Sequence, residues 1–560
     1  MNRWLLTGRT LRHLRPSQIR ARVWLTARRR TMVWLARRGL VQRPGQPVPA
    51  VPPLARDLPT PLFPPRRHFV EHEGETRFLS FLNKRCALAL PMDWQPADLA
   101  DDHLGRFHLH YMEYLEGLPE ELWAALVVDW IVQNPPYRSA YWLGGWSSYV
   151  LSLRCVVWMQ QFAAQGVDDP RVAATILGSL AAQLRFLRNN LELDVLGNHL
   201  VKNLKTLLWA SRFFTGPEAA GWGRLGERLL LRELEEQVPP DGLHYERSPA
   251  YHTQVFADLL ECFHVIRPGP CRVALGRALD RMAQALIDLT HPDGQISLFN
   301  DGGLNMTYPT DVCIDVYRTL TGKEITARPA FALEDAGYYG LRSGSDLFLA
   351  DCGAVCPDFL PAHAQGDILA FEWTRAGRRI LVDAGVYEYR AGRLRDYSRS
   401  TTSHNTVTVG DADQCEFWSS FRVARRARVR CHNFRLGRDE LELEGSHDGY
   451  ARLAGGPRHR RRFVVTKDRI QVEDTVQGGA GQPVRARLLF HPDCRLTPQP
   501  GQIRIENQEV ILSLQSASPM TLVEAWWSPD FGVRVPTIQV VLDYGAAPCG
   551  GGFALVAEHP

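Results

Sequence analysis

Leu196-Gly-Asn-His-Leu-Val-Lys-Asn-Leu-Lys-Thr-Leu-Leu-Trp209 is the stretch that indicates the fold most clearly. Its leucines recur at intervals of three and four residues, which is the spacing of one apolar helix face. Asn198 and His199 stand side by side on the first turn, beside this apolar stripe rather than opposite it. Because polar groups on such a flank need a partner or a cavity, the stretch predicts a helix with a candidate site at its start.

The same helical spacing continues through most of the first half of the chain. Turn signals such as Asn134-Pro-Pro and His291-Pro-Asp-Gly separate the segments, so we expect antiparallel helices arranged as a toroid or solenoid. The predicted helices are 104–118, 121–133, 150–162, 172–188, 196–214, 225–237, 250–266 and 273–290.

From about residue 335 onward the pattern changes to short alternating or β-branched runs, which are typical of an antiparallel β-sandwich. The predicted strands include 347–351, 368–373, 379–383, 406–409, 462–465, 470–473, 485–490 and 510–514. The sequence therefore predicts an α+β multidomain protein. Its parts are a basic N-terminal segment 1–42, a proline-rich linker 43–74, a helical domain 75–330 and a β-sandwich 331–560.

The basic N-terminal segment carries Trp4, Trp24 and Trp34 among clustered arginines. A solvated helix packed on its own domain is favoured there over a contact with a membrane surface or a partner. No apolar run approaches the ~20 residues of a membrane-spanning helix, and there is no evident signal peptide. We expect a cytoplasmic or periplasmic protein without an integral membrane segment.

Composition and motifs exclude several function classes. Of 560 residues, 45% are hydrophobic and 22% are charged, and the net charge of +4 predicts no nucleic-acid partner. Eleven cysteines without CxxC pairs argue against a disulfide framework and a structural zinc site, and mildly favour a reducing compartment. Without a P-loop, a GxGxxG after a strand or a GxSxG elbow, nucleotide and serine-hydrolase functions lack support.

A second polar cluster begins the helix predicted after Ser248-Pro249, a pair typical of a helix start. Tyr251 falls in the first turn, where the positive helix end is expected to lower its pKa and suit it to proton transfer. A buried tyrosine with a satisfied hydroxyl is the alternative. His244, Glu246 and Arg247, just upstream, are expected to orient Tyr251 or to bind an anionic substrate.

A third cluster lies in the strand-rich half, where His363, Asp383 and His404 fall at the ends of predicted strands. Two imidazoles and a carboxylate could hold a divalent metal, although a hydrogen-bonded network is an alternative. Nearby, Arg395, Tyr397 and Arg399 are expected to suit a polyanion.

Aromatic residues are dense around Trp142, Trp146 and Tyr149. Such rings are commonly core residues. The adjacent Gly144-Gly145 and Pro135-Pro136 favour an exposed loop, so we predict that these rings stack on sugars.

Five polar motifs follow one another along the chain: Gly197-Asn-His-Leu, Glu246-Arg-Ser-Pro-Ala-Tyr-His252, Leu298-Phe-Asn-Asp301, His363-Ala-Gln-Gly-Asp367 and Arg399-Ser-Thr-Thr-Ser-His-Asn-Thr406. In this order they resemble the heparinase II/III-like polysaccharide lyases. The N-terminal region, including Leu14-Arg-Pro-Ser-Gln and Phe107-His-Leu-His-Tyr111, resembles the branch found among bacterial exopolysaccharide genes. The resemblance covers about residues 75–450 and implies an (α/α) toroid followed by a C-terminal antiparallel β-sandwich.

The resemblance also implies a chemistry, which is β-elimination at a uronic acid. It assigns Asn198, with His199 beside it, to the substrate carboxylate, and it assigns proton transfer to Tyr251 and His363. Tyr389 or Tyr397 is a candidate second proton carrier. The Asn198 amide, the Tyr251 phenol and the His363 imidazole are expected to converge on one sugar, in the groove joining the helical and sheet domains.

In one position the sequence departs from the family, which often has His-x-His where this chain has His363-Ala-Gln365. The Gln365 side chain offers only an amide oxygen, which is a poor zinc ligand. We therefore expect that no cofactor is required, and we leave open a divalent metal bound by Asp383 and His404. The expected partner is an acidic polysaccharide, and a homodimer is left open. There are two alternative functions. One is a glycoside hydrolase that uses Glu246 and either Asp301 or Asp367 as its two carboxylates. The other is a non-catalytic glycan-binding protein of exopolysaccharide biosynthesis.

Overall fold

A computed structural model describes residues 3–41, 50–74 and 76–558. The chain divides into two compact units. The first unit comprises residues 1–13, 237–256 and 278–560, and the second comprises residues 14–236 and 257–277. Part of the predicted linker, residues 43–49, lies outside the described residues.

Most helices agree with the predicted ones, because their ends carry strong local signals. The helix predicted over 104–118 is an exception, since it ends at Tyr111 and Met112 has a φ of 60°. Asp169 caps α6 by accepting a hydrogen bond from the Arg171 backbone N–H at 2.7 Å, with Pro170 at the first helical position. The helices are α1 Arg3–Leu11, α2 Pro16–Arg37, α3 His103–Tyr111, α4 Glu120–Gln133, α5 Ser148–Gln165, α6 Pro170–Arg188, α7 Gly197–Phe213, α8 Pro217–Gln237, α9 Pro249–Val265, α10 Pro270–Asp288, α11 Thr310–Thr321 and α12 Arg393–Arg399.

The core of the second unit is built from apolar helix faces. In α7, Leu200, Leu204 and Leu207 are completely buried, as their spacing predicts. Burial of one such side chain stabilises the fold by about 1.5–3 kcal/mol. A polar contact sets the close approach of α7 to α5, because the Thr206 hydroxyl donates to the Ser152 carbonyl oxygen at 2.9 Å.

The strands are almost all in the last part of the chain, as predicted. They are β1 Val70–Glu73, β2 Thr76–Phe81, β3 Lys84–Ala87, β4 Ala330–Leu333, β5 Tyr338–Ser343, β6 Asp346–Asp351, β7 Phe371–Arg375, β8 Arg378–Leu381, β9 Val407–Val409, β10 Phe417–Trp418, β11 Arg422–Val423, β12 Val429–Leu436, β13 Glu440–His447, β14 Arg458–Thr466, β15 Arg469–Gln477, β16 Pro483–Leu489, β17 Arg495–Gln499, β18 Gln502–Asn507, β19 Val510–Gln515, β20 Met520–Trp527, β21 Val535–Ala546 and β22 Cys549–Ala557.

The sheets of the first unit are antiparallel. Their strand orders are β12-β13-β14-β15-β22-β19-β18-β17, β20-β21-β16-β9, β4-β5-β6-β7-β8 and β10-β11. Side chains alternate strictly along β14, where Phe463 and Val465 point into the core and Arg460 and Arg462 point outward. A shared apolar core, which includes Phe348, joins these inward-facing positions.

Residues 50–74 do not run as the free extended linker that the prolines predict. Leu54 forms an antiparallel bridge with Phe214, and the Ala55 backbone N–H donates to the Phe213 carbonyl oxygen at 2.9 Å. Phe63 is buried, and β1 pairs with β2 in a small sheet of the second unit. No helix in the described ranges has the length and hydropathy to cross a membrane.

Candidate active site

Tyr251 lies in the first turn of α9, where the sequence places it. The Ser248 hydroxyl oxygen accepts a hydrogen bond from the Tyr251 backbone N–H at 3.1 Å. The same hydroxyl donates to the Asp301 carbonyl oxygen at 2.5 Å. The start of the helix is therefore tied to the loop that carries Asp301.

The Tyr251 side chain contacts one imidazole and one phenol. Its ring stacks on His363, with centroids 3.7 Å apart and planes inclined by 24°. Its hydroxyl oxygen lies 3.1 Å from the hydroxyl oxygen of Tyr389. We call Tyr251, His363 and Tyr389 the proton-transfer cluster. Tyr251 and His363 are 7% and 9% exposed, whereas Tyr389 is half-buried and reaches solvent more readily.

His363 lies between two carboxylates. Its Nδ1 is 3.2 Å from Asp301 Oδ2, and its Nε2 is 3.3 Å from Glu246 Oε2. Both carboxylates are buried. Because each ring nitrogen faces a carboxylate oxygen, the imidazole is held in one orientation against the Tyr251 ring.

Asp301 is held by two further side chains. Arg395 donates to both of its carboxylate oxygens, at 2.5 and 2.7 Å, and the Gln365 amide donates to Oδ1 at 2.8 Å. Burial acts to raise the pKa of Asp301, but the Arg395 charge and the hydrogen bonds from His363 and Arg395 outweigh burial and lower this pKa to about 2. Asp301 is therefore a fixed anion. Arg395 is buried and occupied by Asp301, so the prediction that it faces a polyanion is wrong.

The prediction of a lowered pKa for Tyr251 is also wrong. Burial raises the pKa of Tyr251 well above its usual value, and the charges of Asp301 and Glu246 raise it further, against the opposing hydrogen bond with Tyr389. Tyr251 therefore keeps its proton at neutral pH.

Tyr389 and Tyr397 have different surroundings, although both were candidates for a second proton carrier. Tyr397 donates to the Trp526 carbonyl oxygen at 3.0 Å and accepts from the Trp526 backbone N–H at 3.3 Å. Tyr389 instead contacts Tyr251, and the Arg395 guanidinium lies 4.9 Å from the centre of its ring. The geometry favours Tyr389 as the second proton carrier. No local motif distinguishes the two tyrosines.

Three other residues predicted to bind substrate form hydrogen bonds within the protein instead. His244 is completely buried, and its Nε2 lies 2.9 Å from the Gln237 side-chain oxygen. Arg399 is buried and donates to the carbonyl oxygens of Ala364, Ser419 and Arg422. For His244 and Arg399 the prediction of substrate contact is wrong, because neither has a face open to a ligand. Arg247 donates to the carbonyl oxygens of Ala354 and Asp335 but is half-buried, so its role stays a prediction.

Asp383 and His404 form a buried ion pair. His404 Nδ1 lies 2.7 Å from Asp383 Oδ2, and His404 Nε2 lies 3.1 Å from the Ser398 carbonyl oxygen. Burial lowers the pKa of His404, but the charge and hydrogen bond of Asp383 outweigh burial and raise it to about 9. With a proton on each nitrogen, the imidazole has no lone pair for a metal. The described ranges contain no group of three His, Cys, Asp or Glu residues arranged for a metal ion, so the donor set does not fit one.

Asn198 and His199 begin α7 in the second unit. His199 Nδ1 lies 3.0 Å from Glu192 Oε1, and the His199 ring lies 4.2 Å from the Tyr149 ring centre. Asn203 holds Glu192 in place by accepting from its backbone N–H and donating to its carboxylate. Asn198 is buried, whereas the His199 side chain is 31% exposed. The convergence of Asn198 with Tyr251 and His363 on one sugar stays a prediction.

A buried charge network further along α7 was not predicted. Lys202 and Lys205 each lie 2.7 Å from a carboxylate oxygen of Asp258, and Lys205 also bonds to Glu261. Lys202 and Lys205 are three residues apart on one helix, and Asp258 and Glu261 are three residues apart on another, so each pair lies on one helix face. This spacing is visible in the sequence. Burial and the positive charge of Lys205 lower the pKa of Lys202, despite the attraction of Asp258.

The aromatic loop is mostly core. Trp146 is buried, its indole N–H donates to the Asn134 carbonyl oxygen at 2.7 Å, and its ring contacts Trp130 and Phe186. The prediction that Trp146 is exposed for stacking on sugars is wrong, because apolar contacts cover its ring. Trp142 is half-buried, and Tyr149 is buried beside His199. Their contact with substrate stays a prediction.

Two family models match this chain over most of its length. The one described as "Heparinase II/III N-terminus" matches residues 109–318, and the one described as "Heparinase II/III-like, C-terminal" matches residues 325–550. The chain belongs to the heparinase II/III-like family.

Among curated relatives of this heparinase II/III-like protein is a heparin-sulfate lyase of Pedobacter heparinus, 28% identical over 38% of this chain and 36% of the relative. A heparin-sulfate lyase of Bacteroides thetaiotaomicron is 24% identical over 57% of this chain and 53% of the relative. FtsZ-localized protein C of Caulobacter vibrioides is 26% identical over 59% of this chain and 58% of the relative. The matched regions thus span about a third to three fifths of these relatives.

Solved structures confirm the predicted fold class. A crystal structure of heparinase III has a TM-score of 0.68 at 16% identity, covering 83% of this chain and 79% of that chain. A heparan sulfate lyase mutant from Pedobacter heparinus has a TM-score of 0.59 at 19% identity, covering 85% and 80%. The heparinase II/III-like chain thus has a helical N-terminal part followed by antiparallel sheets. The exact domain boundaries stay a prediction.

Proposed function

We propose that this protein is a polysaccharide lyase that cleaves a uronic-acid-containing polysaccharide by β-elimination. The proposal is carried by the proton-transfer cluster, in which a protonated phenol stacks on an imidazole held by two carboxylates. Relatives named heparin-sulfate lyase support an acidic polysaccharide of the glycosaminoglycan class as substrate.

The reaction breaks two bonds and forms one double bond. The C5–H bond of the uronate breaks, the C4–O bond to the leaving sugar breaks, and a C4=C5 double bond forms. Tyr251 donates its proton to the leaving oxygen, because its raised pKa keeps the phenol protonated at neutral pH. The C5 proton passes to His363 Nε2, while His363 Nδ1 stays bonded to Asp301 at 3.2 Å, and His363 then releases this proton to solvent. Tyr389 returns a proton from solvent to Tyr251.

Asn198 and His199 have the role of binding the uronate carboxylate. Removal of the C5 proton places further negative charge beside that carboxylate, so hydrogen-bond donors there stabilise the transition state more than the ground state. His199 suits this role because Glu192 fixes its ring through Nδ1 and leaves the side chain partly exposed. Loss of one such donor typically costs ~10²–10³ in kcat.

The glycoside hydrolase alternative is disfavoured by the state of its carboxylates. That chemistry needs one carboxyl group as a proton donor and a second as a base or nucleophile. Asp301 is buried, bonded to Arg395 on both oxygens, and has a pKa of about 2. Asp367 is buried and accepts a hydrogen bond from the Asn300 backbone N–H at 2.7 Å. Asp301 is therefore committed to Arg395, and Asp367 is fully shielded from solvent, which disfavours both as groups that act on a sugar.

One observation favours a non-catalytic role as the second candidate. The relative from Caulobacter vibrioides is named for its localisation with FtsZ and not for a lyase activity. In that case the protein would bind an acidic glycan without turnover, while the buried contacts of the proton-transfer cluster would serve stability.

The test is an assay for the new carbon–carbon double bond, read as a rise in ultraviolet absorbance during incubation with a panel of uronate polymers. The wild-type protein is expected to produce this rise on at least one polymer. Asn198→Ala and Tyr251→Phe should each lower the rate at least ~10²-fold. Binding of a polymer without any rise would favour the second candidate, and products lacking the double bond would favour a hydrolase.

A further inference from the structure

Helix α2, Pro16–Arg37, has two opposite faces of different character. The inner face packs on the second unit, to which the helix itself belongs. Leu25 and Gln18 are buried, and the Gln18 amide donates to the Asp194 carbonyl oxygen at 3.4 Å. Arg22 reaches the Asp194 carboxylate at 3.4 Å. These contacts hold α2 against its unit, and the other face points to solvent.

The outer face carries an apolar stripe that the described residues leave about half exposed. Ile19, Val23, Ala27 and Trp34, here called the outer stripe, recur at helical spacing along one side of α2. Ile19, Val23 and Trp34 are 44%, 66% and 48% exposed. Trp24, beside the stripe, is 54% exposed. Large apolar side chains at this level of exposure along a single helix are typical of an interaction surface.

The charged side chains that the N-terminal segment itself places around the outer stripe have one sign. Residues 1–42 contain no Asp or Glu, and α2 contains six arginines. Arg20, Arg30 and Arg37 are exposed on the stripe side of the helix. Just beyond its end, the Arg38 guanidinium lies 3.9 Å from the centre of the Trp34 ring. The surface therefore combines tryptophan, β-branched side chains and uncompensated arginines.

We propose that α2 binds the surface of an anionic lipid membrane, with its axis in the plane of the interface. Tryptophan and arginine are the residues that suit the boundary between headgroups and acyl chains. The arginines complement acidic headgroups, and Ile19, Val23 and Trp34 enter the boundary region. A water-soluble polyanion would satisfy the arginines but would leave the outer stripe in water, so lipid fits both features. This binding is independent of the proposed lyase chemistry.

The experiment is vesicle co-sedimentation of the full chain. The vesicles are made of phosphatidylcholine, with or without about 30 mol% phosphatidylglycerol. The wild-type protein is expected to bind the anionic vesicles at least about tenfold more tightly than the neutral ones, and to weaken as salt rises. The variant Val23→Glu/Trp34→Glu should weaken binding by about tenfold or more.

A matched control comes from the same unit. Val132 on α4 is 71% exposed, so Val132→Glu adds an acid at an apolar surface position on a different helix. This control should bind vesicles within about twofold of wild type. Because all three substituted side chains are exposed, the thermal unfolding midpoints should match that of wild type.

Three results would overturn the proposal. One is equal sedimentation with neutral and anionic vesicles. Another is equal binding by wild type and Val23→Glu/Trp34→Glu. The third is retention on soluble dextran sulfate together with no sedimentation with vesicles, which would assign α2 to a soluble polyanion instead of lipid.

Discussion

The hydroxyl oxygens of Tyr251 and Tyr389 lie 3.1 Å apart, although 138 positions separate the two residues in the chain. Burial raises the pKa of each phenol, so both are protonated at neutral pH. A proton that Tyr251 gives up can be replaced through Tyr389, which is the more exposed of the two. This contact makes Tyr389 testable as the second proton carrier.

Tyr389→Phe is expected to lower kcat about tenfold or more and to leave KM nearly unchanged, because it removes the hydroxyl that returns a proton to Tyr251. Tyr397→Phe is the matched control, since the Tyr397 hydroxyl bonds to the Trp526 backbone. The control should keep kcat within about twofold. The measurement is the steady-state rate of double-bond formation. Equal losses in the two variants would contradict the assignment.

The pair formed by Asp301 and Arg395 is expected to dominate the stability of the first unit. Arg395→Met leaves the buried Asp301 carboxylate without its cation, which should destabilise the protein by about 3–5 kcal/mol. Arg462→Met removes an exposed pair with Glu442 at 2.7 Å and should cost at most ~1 kcal/mol. Urea unfolding of both variants measures the contrast. A smaller loss in Arg395→Met than in Arg462→Met would refute this account.

His404 makes stability depend on pH in the alkaline range. Its pKa is about 9 in the folded protein, against 6.5 for an ordinary histidine, because Asp383 stabilises the charged ring. The stabilisation is fully present below pH 6.5 and is lost as the pH rises through about 9, amounting to something on the order of 3 kcal/mol.

The comparison that isolates this effect is wild type against His404→Gln in urea unfolding, at several pH values from 6 to about 10. The variant should be less stable at pH 6, and the difference should shrink toward pH 10. A difference between the two proteins that stays constant with pH would show that His404 does not titrate as proposed.

The lysines of α7 are expected to differ in importance. Lys205→Met leaves the buried Glu261 without a cation and Asp258 with Lys202 as its cationic partner, so it should cost about 3–5 kcal/mol. Lys202→Met leaves Asp258 paired with Lys205, so its cost should be smaller, about 1–3 kcal/mol. Thermal unfolding midpoints of the two variants, compared with wild type, give the order. The reverse order would mean that Lys202 is the main partner of Asp258.

Local patterns in the sequence predicted the elements because each element depends on nearby residues. The leucine spacing of 196–214 predicts α7, and the Ser248-Pro249 pair predicts the start of α9. The strand predicted over 368–373 begins only at Phe371. There the Ala370 backbone N–H bonds to the Asp367 carbonyl oxygen and Leu369 has a φ of 60°. The hydrophobic pattern of residues 368–373 does not reveal this turn, because the residues of the turn are themselves apolar.

Side-chain environments were harder to predict, because residue type alone does not give burial. Trp146 and His244 have the residue types of a sugar-binding site, but their polar atoms bond within the protein. The Tyr251 pKa was predicted from its helix end, whereas burial, together with the charges of Asp301 and Glu246, raises this pKa instead.

The sequence by itself determined the order of helices before strands, the helix starts and the identity of the candidate residues, because these follow from spacing and from adjacent residues. Only the tertiary structure decided which tyrosine contacts Tyr251, which carboxylates hold His363, and that His404 pairs with Asp383. Those contacts join residues far apart in the chain. The energies of these contacts depend on burial and on distance, and neither quantity can be predicted from neighbouring residues in the sequence.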